Sequence, residues 1–361
     1  MIFEVASVWV RRIMQVLAGD IGGTKTLLAV AEVVAAGQSA ASLRIDLAGA
    51  RRYDSRQYPG LSAICQQYER DEGRRLPPHA GFGVAGPVTN GRSQTTNLPW
   101  ILDERDLART LGLATVRLAN DFHALALGIL AVGQADLVML NEGARDASGP
   151  CVLLGAGTGL GEAVLVPSTG GRYVVLASEG GHADFAPRDE HEIGILRFLL
   201  QRYEHVSWER VLSGDGIVNL AEALAHLTRL PLPDTVMHAI QTNRSEAPSA
   251  ITLAAQTDPL CRRVLQTFAS MYGAEAGNLA LKTLATGGVY VAGGIAPKIL
   301  PFLSDGTFRE GFLGKGRMRH LLEAMPVAVV LQPNTAVYGA ALLAAQSATD
   351  TAQVRPMERT P

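Results

Sequence analysis

Apolar residues in this chain fall in short runs that stop at clusters of glycine, and that punctuation organises the reading. Residues 14–18 are apolar but for Gln15, Gly19-Asp20 ends the run, Gly22-Gly23-Thr24 follows, and residues 27–30 are apolar again. This predicts a strand, a glycine turn and a returning strand. The pattern recurs once: residues 152–154 run into Gly155-Ala156-Gly157-Thr158-Gly159-Leu160-Gly161, and residues 163–166 return.

Each copy is followed by mixed elements. After the first come a helix over 61–70, a strand over 81–85, a helix to Leu111 with Asp103 as cap and Gly112 beyond it, and a strand over 116–119. Asp121 then opens an apolar helix to about Ala131. After the second copy come helices over about 190–203 and 216–226, and a long one from Asp258-Pro259 to about Leu284. Strands over 289–292 and 327–331 follow, and Asn334 begins an alanine-rich terminal helix. The repeat predicts two related α/β domains with a cleft between them. The boundaries read as a small domain over 14–131 completed by about 325–348, and a large domain over 132–324. Residues 1–13 read as an upstream extension ahead of Met14. The polar, aperiodic end reads as a loose tail over 349–361.

Composition narrows the class. With 361 residues, 47% apolar and 18% charged, the chain reads as globular. A net charge of −2 supplies no basic field for nucleic acid. No apolar run approaches the roughly 18 residues of a membrane span. Arg11-Arg12 follow the first apolar stretch, whereas a secretory signal carries its positive charge ahead of it. Cys65, Cys151 and Cys261 are odd in number, far apart and form no C-x-x-C, which fits a reducing cytoplasm and neither a disulfide framework nor a cysteine zinc site.

The candidate chemistry sits in the glycine turns and in three polar strings. Backbone amides and the Thr24 hydroxyl of Gly19-Asp20-Ile21-Gly22-Gly23-Thr24 suit phosphate oxygens, and Asp20 suits a hydrated Mg²⁺. The same glycines would also serve a tight hairpin. The segment is no Walker A loop, because Thr24 stands where that motif needs glycine. In the second turn Leu160 and Glu162 stand where a dinucleotide fingerprint needs its third glycine. A second phosphate cradle or a glycine-rich sheet corner remain as readings. Asn120-Asp121, at a strand-to-helix junction, offers either a functional carboxylate or an N-cap. Thr95-Thr96-Asn97 offers polar groups to a polyhydroxyl ligand, or local turns. In Ser178-Glu179-Gly180-Gly181-His182, Glu179 and His182 are placed to address one small polar ligand. Asp189-Glu190-His191-Glu192 reads as an acidic helix start.

Taken in order, Gly19 to Thr24, Asn120-Asp121-Phe122, residues 155–161, Glu179-Gly180-Gly181-His182, Glu209-Arg210-Val211-Leu212-Ser213-Gly214 and Val291-Ala292-Gly293-Gly294-Ile295 resemble the bacterial glucokinase family. That family belongs to the sugar kinase, actin and heat-shock ATPase superfamily. The resemblance runs over residues 15–345. It implies two ribonuclease H-like domains flanking an ATP-binding cleft, and ATP and Mg²⁺ as cofactors. The implied reaction moves the γ-phosphoryl group of ATP to the 6-hydroxyl of D-glucose, giving glucose 6-phosphate and ADP.

The resemblance also implies roles. Gly19, Asp20, Ile21, Gly22, Gly23 and Thr24, with Gly155, Gly157, Thr158, Gly159 and Gly161, would hold phosphates. Asp20 would hold Mg²⁺ through water, and Gly293 and Gly294 would meet the adenosine. Asn97, Asn120, Asp121, Glu179, His182 and Glu209 would bind glucose, with Asp121 as catalytic base. Ser178 replaces a glycine expected in some members. A cysteine-rich zinc motif and an N-terminal helix-turn-helix, features of a related repressor group, are absent from the sequence. Glucose and ATP are the expected partners, with no nucleic acid and no membrane, and a homodimer is left open. A kinase for another hexose and a catalytically silent sugar sensor are the competing readings, and retention of Asp121 argues against silence.

Overall fold

The computed structural model describes residues 12–35, 43–95, 98–168 and 173–354. The described residues divide into two units: the first takes those within 12–133, 167–175 and 332–354, and the second takes 134–166 and 176–331.

In the first unit, β1 (Arg12–Ile21), β2 (Lys25–Ala35), β3 (Leu43–Asp54) and β4 (His79–Val84) join a fifth strand in one sheet. A short hairpin, β5 (Arg92–Gln94) with β6 (Ile101–Asp103), stands apart, and β7 (Thr115–Asn120) completes the sheet in the order β3-β2-β1-β4-β7. The first three strands are antiparallel, whereas β4 runs parallel to β1 and β7 parallel to β4.

The period of two along β1 decides its packing. Leu17 and Ile21 join Leu28, Phe82 and helix α1 (Leu61–Glu72) through Ile64 and Tyr68. Val16 and Ala18 turn to the other face, against Val337, Ala340, Ala341 and Ala344 of the C-terminal helix, Thr335–Val354. Small residues let that helix lie close to the sheet: a Cβ on Gly81 would stand 2.0 Å from the Ala340 carbonyl oxygen. Helix α2 (Glu104–Leu111) is capped by Asp103, which accepts the Arg105 and Asp106 amide hydrogens. Helix α3 (Asp121–Gly128) leaves the end of β7.

A second sheet, which belongs to the second unit apart from Pro167 and residues 173–175, is formed by β8 (Leu137–Asn141), β9 (Cys151–Ala156), β10 (Leu160–Pro167), β11 (Tyr173–Ser178), β12 (Gly288–Ala292) and β13 (Val327–Val330) in the order β11-β10-β9-β12-β13-β8. Apart from β8, both sheets follow one plan: third, second, first, fourth, fifth strand in chain order. The repeat expected from the two glycine turns is therefore present in the topology.

Helices α4 (Glu190–Leu199), α5 (Gly214–Thr228), α6 (Asp234–Thr242) and α7 (Ala247–Ala254) follow in sequence. Next come the long α8 (Pro259–Thr283) and the short α9 (Leu300–Ser304), α10 (Thr307–Leu313) and α11 (Arg319–Glu323). Phe268 and Tyr272 of α8 meet Phe308 and Phe312 of α10 in the core. The Tyr272 hydroxyl accepts the Ala156 amide hydrogen at 3.0 Å and donates to the Leu154 carbonyl at 3.2 Å. It thereby fixes the end of β9 just before the second glycine turn. Loss of that hydroxyl would leave a buried amide unpaired, a cost of about 1–3 kcal/mol.

Some expected boundaries shift. β1 begins at Arg12, where Arg12 and Ile13 ladder with Ala35 and Val34, so these two residues extend the strand expected from Met14. β1 also carries through Gly19 and Asp20 to Ile21, because antiparallel pairing with β2 continues to Thr26. β13 pairs with β12, so the chain rejoins the first unit at Gln332 and not near residue 325. The C-terminal helix runs to Val354 and buries Ser347 and Ala348, so the tail expected from residue 349 begins as helix.

Candidate active site

The first unit assembles one carboxylate pair. Asp20 lies on β1 opposite Gly83 of β4, and Asp121 is the first residue of α3, packed over the end of β4. A Cβ on Gly83 would touch Ala124 and approach the Asp121 backbone, so glycine there lets α3 seat itself on the strand. Burial and then the charge of Asp121 push the Asp20 carboxyl up to about 6. Burial also raises Asp121, opposed by hydrogen bonds from the Phe122 amide and the Asn120 side chain.

The N-cap reading for Asp121 does not hold: Asn120 makes the cap. Its Oδ1 accepts the Phe122 amide hydrogen at 2.9 Å and the His123 amide hydrogen at 3.3 Å, and its Nδ2 donates to the Gly86 carbonyl at 3.1 Å. Its side chain also donates to the Asp121 carboxylate. Asp121 accepts the Phe122 amide hydrogen at 2.8 Å and a hydrogen from the Asn120 side chain.

Of the first glycine segment, Gly19 and Ile21 lie inside the sheet, and a Cβ on Gly19 would stand 2.6 Å from Leu28. The turn proper is Gly22-Gly23-Thr24. It closes the β1–β2 hairpin, and among the described residues neither of its glycines has positive φ. The Gly22 amide donates to the Lys25 carbonyl at 2.9 Å, and the Ser55 hydroxyl, on the turn after β3, donates to the Gly22 carbonyl at 2.9 Å. Asn97 lies outside the described residues.

The second unit gathers the other candidates. Gly155 and Gly161 pair across β9 and β10, and the turn between the strands is Gly157-Thr158-Gly159, with Thr158 exposed. The Glu209 carboxylate reaches this turn and accepts the Leu160 amide hydrogen at 3.0 Å. Gly293 has φ +86°, and a Cβ there would lie 2.5 Å from the Ala156 carbonyl oxygen, so both its conformation and its contact demand glycine. Gly294 is open to solvent beside it.

Glu179 and His182 bracket a single 3₁₀ turn, Gly180–His182, in which the His182 amide donates to the Glu179 carbonyl at 2.9 Å. Both side chains are exposed, at 92% and 61%, and lie 4.0 Å apart. Both therefore present hydrogen-bonding atoms to solvent. His182 and Glu209 line one pocket of about 340 Å³ together with Arg202, Tyr203, His205 and Arg210. Among the described residues no group of three or more His, Cys, Asp or Glu forms a ready metal cage, and no helix is long and apolar enough to cross a membrane.

Two further residues hold this geometry without standing out in the sequence. Ser55 carries no signal there, being one hydroxyl after a charged strand. Glu162 carries a faint one: it is an acid in an otherwise apolar strand.

Both sheets, with their glycine turns and helix-borne carboxylates, define an α/β fold of the sugar-kinase and actin-like class. A family model described as Glucokinase matches residues 17–347. The glucokinase of Synechocystis sp. is 42% identical over 351 residues, covering 92% of this chain and 98% of that protein. The crystal structure of a glucokinase from an Antarctic psychrotroph superposes with a TM-score of 0.82 at 28% identity, over 93% of this chain and all of that one. A ROK family glucokinase from Streptomyces griseus, solved with glucose and AMPPNP, shares the fold at 21% identity and a TM-score of 0.57, with 92% and 99% of the two chains covered. The chain belongs to the glucokinase family.

Proposed function

We propose that this chain is an ATP-dependent glucokinase that moves the γ-phosphoryl group of ATP to the 6-hydroxyl of D-glucose and works in the cytoplasm. The observation that carries the residue assignment is the division of labour at α3: Asn120 makes the cap, so the Asp121 carboxylate is left for chemistry.

Phosphoryl transfer asks little covalent chemistry of the protein and a great deal of positioning and charge stabilisation. Asp121 orients the 6-hydroxyl and takes its proton as the new P–O bond forms. Burial raises its proton affinity, which suits a base acting near neutral pH. The Gly22 and Gly157 amides are already bonded within their turns, so the amides offered to phosphate are those of Gly23, Thr24, Thr158 and Gly159. Glu179 and His182 read the sugar hydroxyls, assisted by Glu209 through its second oxygen and by Asn97. Gly293 and Gly294 meet the adenosine.

Mg²⁺ fits the donor set. Asp20 and Asp121 are two carboxylates raising each other's cost of ionisation, and a cation that keeps most of its water takes one or two such ligands. Asp20 would hold it, and when bound it would neutralise charge on the phosphates.

The test is ADP release by the purified chain with MgATP across a panel of hexoses. Fast turnover with glucose supports the reading. Turnover confined to another hexose would move the assignment to that sugar, and none with any hexose would favour a silent sensor.

A further inference from the structure

Glu162 is the most conspicuous group that the reaction leaves unused. It lies on β10 at 3% exposure, and among the described residues its Oε1 has no hydrogen-bond partner. Its Oε2 rests against the sugar-side turn: a Cβ on Gly180 would stand 2.0 Å from it. The neighbouring glycine is as confined, since a Cβ on Gly181 would stand 2.1 Å from the Leu160 carbonyl oxygen. The turn that carries Glu179 and His182 is thus seated directly on β10, with the Glu162 carboxyl beneath its first residue.

Helix α8 carries the charged groups that act on Glu162. Glu275 there is 1% exposed and accepts a hydrogen from Asn278 Nδ2 at 2.8 Å. The groups that face Glu162 electrostatically are Glu275, Lys282 and the Tyr272 phenol, all on α8. On the turn side, Ser178 Oγ accepts the Gly180 amide hydrogen at 2.9 Å and stands on the same side of Gly180 as the carboxyl. Two buried carboxyls with one lysine near them do not both ionise cheaply.

We propose that Glu162 is a positioning residue of the sugar subsite: its carboxyl, set beneath Gly180 and within the field of Glu275, holds the Glu179–His182 turn while protonated and loosens it on ionising. The proposal rests on the reading of Glu179 and His182 as glucose ligands. Burial, and then the charge of Glu275, push this carboxyl up to about 7, so the exchange falls in the working range. The proton leaves to solvent. The resulting carboxylate needs donors or water, and its Oε1 has no hydrogen-bond partner among the described residues. Displacing the turn moves both sugar-side groups together.

The experiment compares wild type, Glu162→Gln and Glu162→Ala in two arms. In the first, glucose and MgATP binding are measured by calorimetry at pH 6 and pH 8. Wild type should lose glucose affinity about threefold to tenfold over this interval, an effect that a group titrating near its middle produces. Gln, shaped like the protonated acid, should lack that part of the pH dependence. Every other group is common to the two proteins, so their difference isolates Glu162. Ala should bind glucose more weakly at both pH values, with MgATP affinity unchanged. In the second arm, hydrogen exchange of the His182 and Ala183 amides is followed without ligand. Their protection should fall in Ala and persist in Gln. Parallel pH profiles for wild type and Gln, or exchange unchanged in Ala, would overturn the proposal. Should wild type take no glucose, the functional reading fails, and the exchange arm still decides the role of Glu162.

Discussion

The Glu209 carboxylate accepts the amide hydrogen of Leu160, at 3.0 Å, and so joins a sugar-side residue to the glycine turn assigned to phosphate. Within the second unit, the two halves of the proposed reaction therefore share one hydrogen bond. A charge-assisted bond of this kind contributes about 1.5–3 kcal/mol where it is well made. It also aims the other Glu209 oxygen.

Gly159 tests that link. A Cβ there would lie 2.4 Å from Glu209 Oε2, at the movable end of a side chain, so the fold should survive while the carboxylate shifts. Gly159→Ala should weaken glucose binding roughly tenfold, the equivalent of about 1.4 kcal/mol. At Gly157 an added Cβ meets nothing within 4 Å, so Gly157→Ala should leave glucose affinity within about twofold of wild type. Equal effects of the two substitutions on glucose binding would show that the Glu209 contact does not matter.

Metal removal should stop the reaction without unfolding the protein. Asp20 and Asp121 repel one another, which a cation relieves, yet no described cluster of three or more ligands stands ready to act as a structural site. EDTA should abolish ADP release, added Mg²⁺ should restore it, and the melting temperature should barely move. Full turnover in metal-free buffer would contradict the role given to Asp20.

Glu162 makes a separate prediction about stability. Its folded-state pKa of about 7 lies above the ordinary 4.5, so the folded protein retains a proton that the unfolded chain has lost. Stability should therefore fall as pH rises through that window and level off above it. Glu162→Gln cannot ionise, so its advantage over wild type should grow across the same window. The gain should reach up to about 3 kcal/mol, each tenfold change in proton affinity being worth about 1.4 kcal/mol. Denaturant unfolding at pH 4.5 and pH 8 measures this. A constant difference between the two proteins would mean that Glu162 titrates normally.

How much of the structure is legible in the sequence depends on whether the signal is local. Asp103 and Gly112 bound α2 as expected, because caps act through neighbouring backbone. Both strand-turn-strand units are legible in outline, though Gly19 reads in sequence as part of a turn and in the fold serves close packing against Leu28 and Phe82. Strand β3 escapes the apolar pattern: Arg44, Asp46, Arg51 and Arg52 give it the charged character of an edge strand, which dilutes the alternation. At the site, Asn120-Asp121 is legible as a pair, but the allocation of cap and carboxylate between them depends on backbone direction at one junction. The burial of Glu162 against Gly180 depends on a strand and a turn meeting in space, which no spacing along the chain encodes.

Asp121 is the base in this mechanism, and one variant tests that role most directly. Asn has the shape of Asp but cannot take the proton, and the helix cap is unaffected because Asn120 makes it. Asp121→Asn should lower kcat for glucose by roughly 10²–10⁴-fold, the range of a lost general base. Its melting temperature should stay level or rise slightly, since a buried group whose ionisation is disfavoured becomes neutral. The decisive measurement is kcat of Asp121→Asn at saturating glucose and MgATP: a fall of at least roughly a hundredfold is expected, and a kcat within a few-fold of wild type would contradict the mechanism.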